Sequence, residues 1–230
     1  MLKKLTGKAL IHTILIITSL LSIFPFIWLT STSLKGLGED IFAYPPHLIP
    51  SDFTWANYVD VWHRVNFMGY FWNSVIVAAL TVILNLVLSS LAAYPLARMS
   101  FKGKKFFFFA ILATIMIPFQ AIMLPVYIIT LKLHLIDSVN NVMGYIGLVM
   151  PFAVSAFGIF LMRQAFIKVP KEVEEAAIVD GCNVFQMFTR VVIPMVKPTL
   201  AVLAVFTFIG SWGEFLWPSI MLTKDAMYTL

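Results

Sequence analysis

Five long stretches of this chain contain almost no charged side chain, and this limits what the chain can fold into. Lys, Arg, Asp and Glu are absent from residues 9–34, 65–97, 106–131 and 138–162, and residues 198–223 contain only Glu214. A helix needs about 20 mostly apolar residues to cross a bilayer, and each stretch is longer than that. The sequence therefore predicts an all-α integral membrane protein with one domain over residues 1–230.

The composition excludes a soluble globular protein and supports helices as the spanning elements. The chain is 60% hydrophobic and only 12% charged, whereas soluble domains are about 25% charged. Helices satisfy their own backbone hydrogen bonds inside hydrocarbon. A transmembrane β-barrel would show alternating segments of about ten residues, which these continuous apolar stretches lack. We place five transmembrane helices at residues 9–31, 72–95, 106–130, 140–162 and 199–220.

The distribution of Lys and Arg predicts the orientation of these helices. Cytoplasmic segments of membrane proteins carry an excess of Lys and Arg. With a cytoplasmic N-terminus, twelve of the 16 basic residues fall on cytoplasmic segments. The net charge of +5 is thus explained by topology and by contact with membrane lipid, and it does not require nucleic-acid binding. We expect a multi-pass protein of the cell membrane with its N-terminus in the cytoplasm.

The segment from Pro170 to Pro194, between the fourth and fifth spans, has the pattern of two short helices joined at Gly181. Nine consecutive residues of this segment contain all the acidic residues of the predicted cytoplasmic segments: Glu172, Glu174, Glu175 and Asp180. Acidic residues favour a helix N-terminus, glycine favours a tight turn, and proline predicts the end of the second helix. Such an exposed element is suited to a groove on a soluble partner. The alternative is a loop lying on the membrane, which the acidic first half disfavours.

Polar side chains inside the spans are candidates for a solute pathway. They are costly in lipid, so we expect them to face the bundle interior or a cavity, with helix–helix hydrogen bonding as the alternative role. Gln120 is favoured because Pro118 and Pro125 predict a broken helix that frees backbone groups to line a cavity. Glu214 lies beside Trp212 and Trp217, and the faces of these rings suit sugar rings. The alternative is that the two tryptophans belong to an interfacial aromatic belt. The candidates are Asn73, Gln120, Ser211, Trp212 and Glu214, and Asn85 belongs to the same polar set.

The loop resembles a known family signature. Glu175-Ala176-Ala177, three residues, Gly181, nine residues and Val191-Val192-Ile193-Pro194 are similar to the EAA motif of bacterial ABC importer permeases. That motif ends in Ile-x-Leu-Pro, so Val191 and Ile193 depart from it. Asn73-Ser74, the A-Y-P-L-A-R segment at 93–98 and I-P-F-Q at 117–120 resemble the carbohydrate-uptake branch, specifically the maltose-type second permease subunit. Gly213 departs from the Trp-Asn-Glu usual there.

The resemblance implies a division of labour among several subunits. It implies a second permease subunit, an ATPase dimer and an extracytoplasmic solute-binding protein as partners, with ATP and Mg bound by the ATPase and no cofactor bound by this chain. The chain itself shows no phosphate-binding glycine loop and no metal-ligand spacing, so we expect no catalytic residue and no metal. The residues expected to couple to the ATPase are Glu174, Glu175, Ala176, Ala177, Asp180, Gly181 and Pro194.

Three alternatives to a sugar permease remain open at this level. The same architecture could import a polyol or glycerol phosphate, although a phosphate-bearing solute favours a cation in the pathway. An ion-driven secondary transporter would need titratable residues inside the membrane, and only Glu214 is available, near the end of a span. A membrane enzyme lacks a nucleophile–base pair. The resemblance also implies six spans, so a sixth, C-terminal helix is expected beyond the five visible here.

Overall fold

A computed structural model describes residues 2–44, 47–136 and 141–230 of the chain. The described residues are almost wholly helical, with one isolated antiparallel bridge between Lys35 and Phe53. The chain divides into two compact units, residues 1–67 and residues 68–230. The first unit contains α1 (Leu2–Ser33) and α2 (Ala56–Arg64).

The remaining helices follow in order along the chain. They are α3 (Phe67–Arg98), α4 (Lys104–Thr114), α5 (Phe119–Lys132), α6 (Asn141–Val149), α7 (Ala156–Ile167), α8 (Lys171–Val179), α9 (Val184–Gln186), α10 (Ile193–Met195), α11 (Lys197–Trp212) and α12 (Leu216–Met221). A π-helix over Met187–Val192 joins α9 to α10, so that Val184–Met195 is one helical segment. Short 3₁₀ turns lie at Met150–Phe152 and Asp225–Met227.

The count of five predicted spans agrees with the structure only when bent helix pairs are each taken as one crossing. Leu10–Ser33 and Phe67–Arg98 are continuous apolar helices of sufficient length. The predicted spans at 106–130, 140–162 and 199–220 are each interrupted in the described helices. The helix axis bends by 97° between α4 and α5 and by 60° between Val142–Phe152 and α7, and α11 ends at Trp212 before α12 begins at Leu216. A further bend of 79°, between Val184–Met195 and α11, lies just before the fifth predicted span. The predicted start of the fourth span, residue 140, lies outside the described residues.

Local sequence explains where these helices break. Pro118 has an extended backbone (ψ 141°) and ends the turn after α4, because proline lacks the N–H that would continue the helix. Pro151 lies within the 3₁₀ turn that precedes α7, and Ser155 caps α7 by accepting a hydrogen bond from Gly158 N at 3.0 Å. At the end of α11, Gly213 leaves the helix before α12 begins.

In the first unit, the segment between α1 and α2 folds around the carboxylate of Glu39. Lys35 Nζ lies 3.5 Å from Glu39 Oε1 and also lies over the ring of Trp28. The backbone N–H groups of Ser51 and Asp52 donate to Glu39 Oε2 at 3.0 and 3.4 Å. Burial raises the pKa of this carboxyl, but the two backbone donors and the Lys35 charge outweigh that effect and hold the pKa of Glu39 below its usual value. The carboxylate therefore stays ionised at neutral pH.

In the second unit, α3 carries a row of buried polar side chains that bond to other segments. Asn73 Nδ2 donates to the carbonyls of Ala226 and Tyr228, both at 2.9 Å. Tyr145 Oη donates to Asn73 Oδ1 at 2.6 Å. Asn85 Nδ2 donates to Phe152 O at 3.0 Å. The three bonds donated by Asn73 and Asn85 satisfy backbone carbonyls next to irregular structure, so α3 stabilises those parts of the unit.

Helices α3 and α7 approach each other closely at Gly158. A Cβ atom placed on this glycine would lie 2.6 Å from Ser89 Oγ, 2.8 Å from Ser155 Oγ and 2.9 Å from Asn85 Oδ1. These oxygens are held in place, because Ser89 donates to Asn85 Oδ1 at 3.2 Å and Ser155 caps α7. The absence of a side chain at Gly158 therefore allows this polar cluster to form.

We expect Gly158→Val to destabilise the folded protein by about 1–3 kcal/mol, the usual cost of overpacking a well-packed site. Thermal unfolding of the purified protein in detergent measures this. Gly210→Ala is the matched control, because nothing lies within 4 Å of the added Cβ and that residue is also helical. An unfolding temperature for Gly158→Val equal to that of Gly210→Ala would contradict the close contact.

Candidate functional site

The loop that carries the EAA-like motif is a helix–turn–helix whose turn is closed by backbone hydrogen bonds. Gly181 has φ 81° and follows α8 directly after Asp180. Gly181 N donates to Ile178 O and Cys182 N donates to Ala177 O, both at 3.0 Å. This pair of bonds is a Schellman motif, which needs a left-handed residue at the position of Gly181. The predicted glycine turn between two helices is confirmed.

A second capping motif begins two residues later and was missed by the sequence reasoning. Asn183 Oδ1 accepts from Gln186 N at 2.9 Å, and Gln186 Oε1 accepts from Asn183 N at 3.0 Å. This reciprocal pair is a capping box at the start of α9. The signal was readable, because an Asn followed three residues later by Gln before an apolar run is the sequence form of the motif.

The outer face of the loop is exposed and combines acidic and apolar groups. Glu175, Ala176 and Asp180 are exposed. Beside them, Val179 is 87% exposed and Phe185 is 69% exposed. Large apolar side chains this exposed at the tip of a polar loop are typical of a surface that binds another protein.

The inner face of the loop packs against the helices. Ala177 is buried in the same apolar cluster as Met187 and Phe188. The Phe188 ring lies 5.1 Å from that of Tyr94 on α3 and 6.2 Å from that of Phe166 on α7. The predicted coupling residues thus divide into two groups: Ala177 anchors the loop, whereas Glu175, Ala176 and Asp180 face outward.

Glu174 is held by an ion pair within the chain. Its Oε1 lies 3.0 Å from Arg98 Nε, and the two side chains are only 17% and 9% exposed. The contact is an ion pair without hydrogen-bond alignment. The Arg98 guanidinium also donates to the carbonyl of Val169, which precedes α8. Arg98 therefore joins the end of α3 to the beginning of the loop.

The second helical segment ends one residue after Pro194, which agrees with the predicted boundary. The segment continues to Met195, and the π-helix Met187–Val192 precedes the proline. Proline removes one backbone donor and its ring collides with the carbonyl four residues earlier, and a π-turn provides the extra room.

A cavity of about 380 Å³ lies where the helix breaks of the second unit meet. Its wall includes Ile117 from the α4–α5 break, Ser155 from the bend before α7 and Glu214 from the α11–α12 break. Thr81 and Asn85 contribute from α3. Irregular backbone at membrane depth is tolerated where it lines a cavity, and the breaks at Ile117, Ser155 and Glu214 do so here.

The cavity has an apolar lining with a few polar groups. Asn85 Oδ1 accepts hydrogen bonds from Ser89 Oγ at 3.2 Å and from Ser155 Oγ at 3.4 Å. Glu214 Oε1 accepts from Trp217 N at 3.1 Å, which caps α12, and the indole of Trp217 donates to Gly147 O at 3.3 Å. Hydroxyl, amide and carboxylate groups beside aromatic rings form a lining that suits a hydroxylated solute.

The structure brings only part of the predicted pathway set to this cavity. Ser211 and Glu214 line it. Asn73 is instead bonded to the segment around Ala226, Trp212 packs against Phe208 at 5.5 Å, and Gln120 is exposed. Asn85 lines the cavity, although it was not among the predicted pathway residues. In the described parts of the chain, no group of three or more His, Cys, Asp or Glu is arranged to hold a metal ion.

Comparison with known proteins decides the family. The family model described as "Binding-protein-dependent transport system inner membrane component" matches residues 85–230, which is more than half of the chain and includes both the loop and the cavity residues from Asn85 onward. The chain belongs to this family. The family prediction made from the EAA-like motif is thereby confirmed.

Several relatives of this permease family are similar over most of the chain. The arabinooligosaccharides transport system permease protein of Halalkalibacterium halodurans is 35% identical over 79% of this chain, which spans 63% of that relative. The sn-glycerol-3-phosphate transport system permease protein of Yersinia enterocolitica is 34% identical over 94% of this chain and 76% of its own length. A solved bacterial ABC transporter involved in the import of the acidic polysaccharide alginate is 27% identical, with a TM-score of 0.81 over 96% of this chain and 76% of its own.

We expect substitution of Gly181 to loosen the turn of the loop in a graded way. Gly181→Val forces a β-branched side chain into a left-handed backbone and should destabilise the turn by about 1–2 kcal/mol, whereas Gly181→Asn should cost less because Asn tolerates that conformation. Hydrogen exchange at the amides of Gly181 and Cys182 measures the effect. Equal protection in the two variants would contradict the Schellman geometry.

Proposed function

We propose that this chain is the membrane-spanning permease subunit of an ATP-driven, binding-protein-dependent sugar importer. The observation that carries the proposal is an exposed, preformed helix–turn–helix with the family motif, set on a bundle whose helix breaks line a mainly apolar cavity with a few polar groups. The loop would receive the motion of an ATPase, and the cavity would form part of the solute pathway. A second permease subunit and an extracytoplasmic solute-binding protein complete the assembly.

Docking of the loop into an ATPase dimer is supported by the chemistry of its outer face. Glu175 offers an exposed carboxylate for a basic residue of the partner, and Val179 and Phe185 offer apolar side chains for a groove. ATP and Mg would be bound by the ATPase, and this chain would carry no catalytic residue. The orientation that accompanies this role puts the loop and the N-terminus in the cytoplasm.

A sugar is favoured over glycerol phosphate by the lining of the cavity. Relatives named for arabinooligosaccharide and alginate transport support a carbohydrate. The described residues that line the cavity include hydroxyl, amide and carboxylate groups but no Lys or Arg, whereas a phosphate favours a cationic site. The named glycerol-phosphate relative makes that solute the second candidate.

Reconstitution of the assembled importer tests the proposal. The chain is combined with its second permease, ATPase and solute-binding protein in proteoliposomes, and ATP-dependent uptake of radiolabelled arabino-oligosaccharides is compared with that of sn-glycerol 3-phosphate. We expect uptake of the oligosaccharide. Preferential uptake of glycerol phosphate would select the second candidate, and uptake driven by an ion gradient without ATP would reject the proposed class of transporter.

We expect Glu175→Lys to weaken association with the ATPase by about tenfold or more, because it reverses a charge in a proposed interface. Co-purification of the ATPase from detergent-solubilised membranes measures the association. Lys168→Glu is the control, since it also reverses one exposed charge but lies just before the loop. Normal recovery of the ATPase with Glu175→Lys would argue against a docking role for this carboxylate.

For the cavity, we expect Ser211→Leu to lower sugar uptake by about tenfold while the complex still assembles, because it replaces a hydroxyl at the wall with a larger apolar group. Ser219→Leu makes the same change at an exposed position of α12 that does not line the cavity and should transport normally. Transport assays on complexes of matched composition compare the two. Equal rates would exclude Ser211 from the pathway.

A further inference from the structure

We propose that Arg98 is a positioning residue that makes α3 and the coupling loop (residues 170–194) move together, so that displacement of the loop reaches the wall of the cavity. This inference rests on the proposed function, because it concerns how that transporter converts ATPase motion into solute movement. Arg98 would act through Glu174 and α3, without contact to solute or nucleotide.

The ion pair has the placement that such a link requires. Arg98 is the last residue of α3, and Glu174 lies within α8 of the loop. The 3.0 Å contact between Arg98 Nε and Glu174 Oε1 is largely shielded from solvent, with side-chain exposures of 9% and 17%. Shielded charges are screened little by salt and attract strongly. The second bond, to the carbonyl of Val169, fixes the guanidinium from another direction.

Apolar packing also joins α3 to the loop. The rings of Tyr94 and Phe188 pack 5.1 Å apart within the apolar cluster that includes Ala177. Apolar attraction is non-directional, so such surfaces can slide over one another at low cost. The Arg98 guanidinium contacts both Glu174 in the loop and the carbonyl of Val169 just before it, and this planar group restrains sliding better than a single lysine ammonium does.

The same helix carries the displacement to the cavity. Asn85 lies on α3 thirteen residues before Arg98, a separation of about 20 Å along a helix. Asn85 lines the cavity and donates to Phe152 O at the bend before α7. A movement of α3 imposed at Arg98 therefore shifts both the cavity wall and the backbone at that bend, through one continuous helix and two polar contacts.

Substitutions in the complete transporter separate this role from simple stabilisation of the fold. The variants are Arg98→Gln, Arg98→Lys, Glu174→Gln and the charge exchange Arg98→Glu with Glu174→Arg. Lys105→Gln is the control, because it removes one exposed cation near the start of α4, in a surface groove that Arg98 and Glu174 also line. Each complex is assayed for ATPase content, ATP hydrolysis and solute uptake.

We expect Arg98→Gln and Glu174→Gln to retain the ATPase and most of its hydrolysis but to lose about tenfold or more in solute transported per ATP, as expected for loss of a shielded charge pair. Arg98→Lys should give an intermediate amount of solute transported per ATP, and the charge exchange should recover part of the amount that is lost. Lys105→Gln should match the unmodified complex.

Two results would overturn the inference. One is an unchanged ratio of solute to ATP in Arg98→Gln. The other is a parallel fall in assembly, hydrolysis and uptake in all Arg98 and Glu174 variants, including the charge exchange, because this indicates a structural anchor only. A lack of ATP-dependent uptake by the unmodified complex would instead refute the proposed function, so the two failures are distinguishable.

Discussion

Inside a bilayer a polar group must find its partner within the protein, and the buried polar side chains of α3 show how much of the second unit depends on that constraint. Asn73 bonds to the segment around Ala226, Asn85 to the bend before α7, and Arg98 to the beginning of the coupling loop. Each interaction is worth about 1–2 kcal/mol or less in a membrane protein, yet each fixes a part of the chain that is not in a regular helix. Helix α3 thus orders the irregular segments at three levels.

The cavity is a consequence of the same constraint. Bending a membrane helix frees backbone groups, and these are tolerated where side chains, protein or a cavity accommodate them. The Asn85 amide donates a hydrogen bond to the carbonyl of Phe152, and the Trp217 indole donates one to the carbonyl of Gly147. Because three of the breaks contribute residues to the cavity wall, the side chains of Ser155 and Glu214 lie there together with that of Asn85. Transport, as proposed, would use the place where the fold departs most from straight helices.

The lengths of the stretches without charged residues and the spacing of the EAA-like motif predicted the fold class, the approximate spans and the turn at Gly181. The helix bends were not predicted as a set, because apolar runs of 25 residues look the same whether straight or bent. Gln120 illustrates the limit: the break near Pro118 was anticipated, but the direction of one side chain depends on the helix phase after the break, which sequence does not specify. Similarly, Glu174 and Glu175 are adjacent and chemically equal, and only packing against Arg98 distinguishes the shielded carboxylate from the exposed one.

The turn of the coupling loop is closed by local hydrogen bonds, through the Schellman motif at Gly181 and the capping box at Asn183. A surface built in this way keeps its shape when nothing is bound to it. Little conformational entropy is lost when this surface binds a partner, so the tip of the loop does not have to refold each time it binds and dissociates. Such a loop is a preformed binding element and not a segment that folds when it binds. A few exposed side chains can therefore set its affinity without changing its conformation.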